Sequence, residues 1–286
     1  MAISTSVVSP HMPTGFVSAV AAGGRYVIGI GTNPGGTVGV FTVYDSVDDS
    51  MNAYEWSPAS GVSLGVGDVA RPLFGGVATL MPGGLVVCFP DGTYDAYALS
   101  WPIGPKSGSL FSWDTNGSTL TVFFYTGSGS SAAYQMISWN SSLSVITSGS
   151  GYYSGPNRGP VTYGLGYYWY PYNGYIRKVN ETTFATVSTM SITGSVGKGT
   201  PALGSMWLPS NRKIDPATDA ITTTASAFGP NMAMGDDGRF YWASGSTLSS
   251  WKEGLPLRSD ALPFSASRWG VHSGFSGSFP LRLAYR

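Results

Sequence analysis

The chain has 286 residues, of which 42% are hydrophobic, 14% aromatic and only 10% charged, and its formal net charge is zero. Disorder needs low hydrophobicity together with high net charge, so this composition excludes it. The 15 Lys and Arg residues are scattered, without the basic stripe that a nucleic-acid-binding face requires.

Forty Gly and 19 Pro punctuate the sequence, and the three Glu (Glu55, Glu181 and Glu253) lie far apart. No stretch reads as a helix. Glycine-punctuated apolar strands instead return seven times, at Gly24–Ile28, Gly84–Cys88, Ser118–Val122, Gly166–Tyr170, Gly204–Leu208, Gly238–Trp242 and Ser278–Arg282. The mean step is about 42 residues, the length of one four-stranded propeller blade.

In chain order, residues 16–45 read as three strands, Phe16–Ala21, Arg25–Ile30 and Val38–Tyr44. Gly23-Gly24 and Asn33-Pro34-Gly35-Gly36 mark the turns between them. Residues 53–66 supply a fourth, outer strand with Trp56. The second unit holds Val77–Met81, Leu85–Phe89 and Thr93–Leu99. Its Asp91-Gly92 pair between apolar runs is a strong hairpin signal. The third turns at Asn116-Gly117 and continues as Leu120–Tyr125, Ala133–Trp139 and Leu143–Thr147. The fourth spans Val161–Ile192, the fifth Pro201–Phe228, and the sixth Pro230–Leu262 with a turn at Asp237-Gly238.

A seventh unit, Arg268–His272 and Phe279–Tyr285, lacks outer strands. Unpaired edges must be satisfied, so Ile3–Ser9, within an N-terminal strand segment 1–12, is expected to complete it and close the ring. The expected architecture is all-β, one β-propeller over residues 1–286 with about seven four-stranded blades. The uneven steps leave six or eight blades open, and a β-sandwich of fibre type is the rival.

The N-terminus has neither a basic start nor a long apolar core, so no secretory signal is expected. No apolar run approaches the ~20 residues of a membrane-spanning helix. Cys88, the one cysteine, reads as a small core residue. His11 and His272, the two histidines, have no zinc-site spacing, and neither a metal nor a cofactor is expected. Asp48-Asp49 and Asp236-Asp237 read as solvated turn aspartates, and Asp45-x-x-Asp48-Asp49 as a loop rather than a calcium cage. Asn116, Asn140 and Asn180 match the glycosylation pattern by chance. Ser112–Thr119 resembles the Asp-box turn of sialidase-type propellers, with an extra residue before the Gly and Leu120 where an aromatic belongs. A sialidase also needs a Tyr nucleophile with a Glu partner, an acid and an arginine cluster, and the separated Glu residues do not assemble it.

The densest aromatic stretch supplies the candidate binding residues: Arg158, Tyr167, Trp169, Tyr170, Tyr172 and Tyr175. Aromatic faces stack on sugar rings, and Tyr and Trp also suit protein interfaces. Alternate residues of a strand face opposite sides, so half of the stretch is expected to pack between blades. Packing, a protein interface and a glycan site all remain open.

The start Met1-Ala2-Ile3-Ser4-Thr5, the wealth of Gly, Ser, Thr, Tyr and Trp, the scarcity of Glu and Lys and the propeller-like repeats together resemble the minor tail proteins of phages that infect actinobacteria. That resemblance spans the full length and is carried by composition and repeat rather than by a motif. It implies a non-enzymatic structural protein of the virion, made in the host cytoplasm and placed at the tail tip or its periphery. Its partners would be other tail proteins and a bacterial cell-surface glycan, without nucleic acid and without membrane insertion. No catalytic residue carries over. A lectin-like glycan-binding propeller is the alternative, followed by a glycan-cleaving enzyme, whose paired carboxylates the sequence does not provide.

Overall fold

The computed structural model describes residues 16–23, 25–33, 35–45, 47–64, 70–81, 83–99, 111–126, 132–142, 144–153, 160–172, 174–192, 198–209, 211–224, 232–234, 239–244 and 247–261. These residues form 24 strands and no helix. The strands make six four-stranded antiparallel sheets, each a meander in which consecutive strands pair. Within them lie two compact units, residues 16–99 and residues 111–261.

The first unit holds two sheets. One contains β1 (Phe16–Gly23), β2 (Tyr26–Thr32), β3 (Gly39–Asp45) and β4 (Ser50–Trp56). The other contains β5 (Ala70–Leu73), β6 (Gly76–Met81), β7 (Gly84–Cys88) and β8 (Tyr94–Ala98). Every residue of β6 and β7 is buried, whereas β4 and β8 are mostly exposed or half-buried. A strand covered on both faces reads as a continuous apolar run, and an outer strand does not. Strands β1 and β5 adjoin, and a shared core joins Ile28, Ile30, Phe41, Val43 and Trp56 to Val77, Met81, Val86 and Cys88. Gly39 makes room for Trp56: a Cβ there would lie 2.3 Å from two ring carbons.

The second unit holds four sheets. The third sheet has β9 (Phe111–Thr115), β10 (Leu120–Thr126), β11 (Ala132–Trp139) and β12 (Val145–Tyr153). The fourth has β13 (Thr162–Gly164), β14 (Tyr167–Tyr172), β15 (Tyr175–Asn180) and β16 (Thr186–Ser191). The fifth has β17 (Thr200–Ala202), β18 (Ser205–Leu208), β19 (Arg212–Ile214) and β20 (Ile221–Thr223). The sixth has β21 (Ala233–Met234), β22 (Phe240–Ser244), β23 (Thr247–Trp251) and β24 (Arg258–Ala261).

The first strands of these four sheets adjoin one after another. Polar side chains stitch that series to the neighbouring backbone. Val161 N donates to Ser112 Oγ at 2.9 Å, and Tyr163 N to Asp114 Oδ2 at 2.9 Å. Gly199 N donates to Thr162 Oγ1 at 3.0 Å, and Thr200 Oγ1 to the Met232 carbonyl at 2.7 Å.

Several strands differ from the sequence expectation. The outer strand of the first sheet is β4, centred earlier than residues 53–66. Gly84–Cys88 is a third strand, whereas the other repeated segments within the described residues occupy second strands; the true counterpart is β6. Counting from β6 shortens the long first step and evens the spacing. Strand β5 was hidden because its hairpin turns on Phe74-Gly75. Leu165-Gly166 and Leu203-Gly204 make the same turn, both residues of each pair having positive φ. That geometry ordinarily selects Asn-Gly or Asp-Gly, and a bulky residue there costs about 1–2 kcal/mol. Strand β12 runs to Tyr153, well past Thr147, because β11 pairs with it along its whole length and holds the Ser/Gly run extended. Ile3–Ser9, Asp237-Gly238, Arg268–His272 and Phe279–Tyr285 lie outside the described residues.

Candidate functional site

The Leu165-Gly166 turn feeds directly into the aromatic stretch of β14, and alternation then distributes its side chains. Tyr168 and Tyr170 pack with Phe123 and Met136 of the third sheet. Trp169, between them, packs with Ile176, Met206, Leu208 and Ile214, reaching the fifth sheet. Tyr168 OH is 2.6 Å from Thr121 Oγ1, and burial pushes its pKa up to about 12. The space beside Trp169, lined by Thr162, Ile176, Met206 and Leu208, amounts to about 10 Å³, room for one water at most.

The six candidate residues therefore separate. Trp169 and Tyr170 are core, at 2% and 1% exposure. Tyr167 is half-buried, with the Lys178 ammonium 4.9 Å from its ring centre. Tyr175, at the start of β15, is exposed. Tyr172 pairs with Tyr175 through the backbone, while its side chain and all of Arg158 lie outside the description.

Alignment of Trp169 with Trp207 is visible in the sequence, and the structure adds what surrounds them. Trp169 Nε1 donates to the Gly164 carbonyl and Trp207 Nε1 to the Ala202 carbonyl, each at 2.9 Å. On the third strand, Lys178 lies opposite Trp169 and Lys213 opposite Trp207. Each ammonium sits over its Trp ring, at 5.7 Å and 5.2 Å. Each also reaches an acid in the last turn of the next sheet: Lys178 Nζ is 2.5 Å from Asp219, and Lys213 Nζ is 3.6 Å from Glu253. Lys178 donates as well to the Pro216 carbonyl at 2.8 Å. This Trp–Lys–acid bridge repeats, but different hairpin lengths put the Lys nine residues after one Trp and six after the other, which hides it from a fixed-spacing scan.

A second repeated feature also went unread. Five third strands end on, or are followed within three residues by, an Asx residue whose side chain caps the turn. Asp45 accepts from Val47 N, Asp91 from Thr93 N, Asn140 from Ser142 N, Asn180 from Thr182 N and Asp215 from Ala217 N. Asn116 does the same at the β9–β10 turn, for Ser118 N. The three Asn-x-Ser/Thr matches are thus side-chain-capped turns, which favour Ser or Thr two residues on.

The remaining polar groups have visible uses. In the Asp-box-like segment, Ser112–Asp114 belongs to β9, and the turn is confined to the residues after Thr115. Asp114 is buried, accepts from Thr115 N and Tyr163 N, and lies 3.4 Å from Lys198 Nζ. Tyr163 OH donates to Glu181 Oε2 at 2.7 Å. Burial and that carboxylate raise the Tyr163 pKa above its ordinary value, the opposite of what a phenolate nucleophile needs. Arg25 binds Asp45 and Asp48 and holds the Asp45 carboxyl down at about 2. Tyr44 OH donates to Asp49 at 2.5 Å. Among the described residues, no cluster of three His, Cys, Asp or Glu could hold a metal.

No protein-family model matches the chain, and no curated protein does either. Solved structures do. The WD40 domain of Pan2 from Neurospora crassa is 10% identical over 92% of this chain and 85% of its own, with a TM-score of 0.55. Sqt1 from Saccharomyces cerevisiae is 9% identical over 90% of this chain and 88% of its own, with a TM-score of 0.50. At such identities the likeness is one of fold. WD40 repeats are blades of four-stranded antiparallel sheets, and this chain is all-β and propeller-like.

Proposed function

We propose that this chain is a non-enzymatic β-propeller serving as a structural component of a phage virion. As a minor tail protein at the tail tip or its periphery, it joins other tail proteins and contributes to contact with the host surface. The observation that carries this reading is where the polar groups go. Asp114, Lys178, Asp219, Thr162 and Thr200 tie one sheet to the next, and Tyr163 is held protonated against Glu181. Such an allocation supports a scaffold, and the compositional resemblance to minor tail proteins supports the virion assignment.

In its finer form the proposal is a closed ring of seven blades over residues 1–286. Residues 1–12 pair with the C-terminal segment to complete the last blade. The test is mass spectrometry and immunogold labelling of gradient-purified particles of the phage that encodes the chain. A stoichiometric signal with label at the tail is expected. Abundance in the lysate with absence from particles would overturn the virion reading.

A further inference from the structure

We infer that the first unit carries a docking site for a neutral sugar unit of a glycan, formed by Tyr26 and the turn Phe89–Thr93. These residues line an open depression of about 490 Å³, distinct from the aromatic stretch of β14. Tyr26 comes from the start of β2, and the other wall is the hairpin between β7 and β8. Phe89, Pro90 and Tyr26 are half-buried, whereas Asp91 and Thr93 are exposed. The combination is an aromatic and pyrrolidine surface beside hydrogen-bonding groups, the composition by which a small polar ligand is oriented.

The walls are held before any ligand arrives. Thr93 N and Thr93 Oγ1 both donate to Asp91 Oδ1, at 2.9 and 2.6 Å, which keeps the carboxylate charged and leaves Oδ2 for ligand hydroxyls. Gly92 has φ near +90° and lies so close to Tyr54 that a Cβ would sit 2.4 Å from the ring. Tyr54 in turn stacks on Phe41 at 5.2 Å. Arg25, anchored by Asp45 and Asp48, places its guanidinium 5.4 Å from the Tyr26 ring centre. A preformed site loses less freedom on binding.

Charge selects the ligand class. Arg25 is spent on Asp45 and Asp48, so the charge a ligand meets is the Asp91 carboxylate, which opposes an anion. A neutral ring with an apolar C–H face and several hydroxyls fits: the face stacks on Tyr26 and Phe89, and the hydroxyls donate to Asp91. The inference does not depend on the virion assignment, because sugar binding by the purified chain and incorporation into particles are separate readouts.

The experiment is an array of neutral hexose and pentose oligosaccharides, followed by solution titration of the best binder by ligand-observed NMR. Tyr26→Ala is expected to weaken binding at least about tenfold, a change of about 1.4 kcal/mol. Tyr26→Phe should keep most of it. Asp91→Asn retains the turn cap and should weaken binding several-fold, which provides a test even where Tyr26→Ala does not fold. Tyr175→Ala should bind as the parent does. No array signal, a folded Tyr26→Ala with parental affinity, or displacement of the sugar by tetramethylammonium would overturn the proposal.

Discussion

Both units fix consecutive four-stranded sheets to each other through shared apolar cores, and the second unit adds polar bridges. In the first unit the shared core runs from Ile28 through Trp56 to Cys88, and the Arg25–Asp45–Asp48 cluster stays within one sheet, joining the residue before β2 to the end of β3 and the turn after it. In the second unit charges and hydroxyls reach from sheet to sheet: Asp114 to Tyr163 N, Thr121 to Tyr168, Lys178 to Asp219, Lys213 to Glu253. Apolar packing is non-directional and tolerates volume-conserving exchange. A buried ion pair has one partner and one geometry, and removing that partner strands a charge. The second unit therefore gains definition of how its sheets align, at the cost of sensitivity to single substitutions.

The largest effect is expected where the first unit is tightest. Gly39→Val drives a side chain into the Trp56 ring and should cost about 3 kcal/mol, read by urea unfolding. Asp219→Asn comes next. Asn tolerates the positive φ of 58° at this position, so the substitution isolates the charge. Lys178, whose side chain is 4% exposed, loses its counterion, and a loss of about 2–3 kcal/mol is expected.

Tyr168→Phe removes the hydroxyl at Thr121 and should cost about 1 kcal/mol. The same hydroxyl gives the second unit an alkaline limit. Its folded pKa of about 12 lies above the ordinary value near 10, so its contribution is complete below pH 10 and is lost as pH rises through about 12. Circular dichroism across that window should show the parent losing stability and Tyr168→Phe losing less.

Glu253→Gln should cost under about 1 kcal/mol, because that carboxylate is 66% exposed and water screens it. The smallest effect belongs to Asp45. Its pKa is depressed from 3.8 to about 2 by Arg25, so whatever stability it adds is present above pH about 4 and disappears as pH falls through about 2. Arg25→Gln should flatten that acid limb of the stability curve.

Much of the architecture was readable in the sequence because turns declare themselves. Asp91-Gly92 and Asn116-Gly117 mark hairpins that the structure contains, and the fourth, fifth and sixth units have nearly the expected extents. The reading failed where local preference is overridden. Phe74-Gly75 does not look like a tight hairpin, so β5 was lost and β7 was aligned in place of β6. The Gly and Ser residues of β12 look like a turn and are held extended by their partner strand. Alternation along β14 separates its aromatics onto two faces, but both faces are covered, so Tyr168, Trp169 and Tyr170 are all buried rather than every other one. Bridges such as Lys178–Asp219 join residues 41 apart, and no local pattern announces them. The depression at Tyr26 escaped for the same reason, since its walls come from different sheets.

The sharpest test of this account is a double-mutant cycle on both Trp–Lys–acid bridges, with Lys178→Met and Asp219→Asn compared against Lys213→Met and Glu253→Gln. If polar bridges align the sheets of the second unit, the first cycle should give a coupling energy above about 1 kcal/mol and the second a value within about 0.5 kcal/mol of zero. Near-zero coupling in both cycles would contradict it.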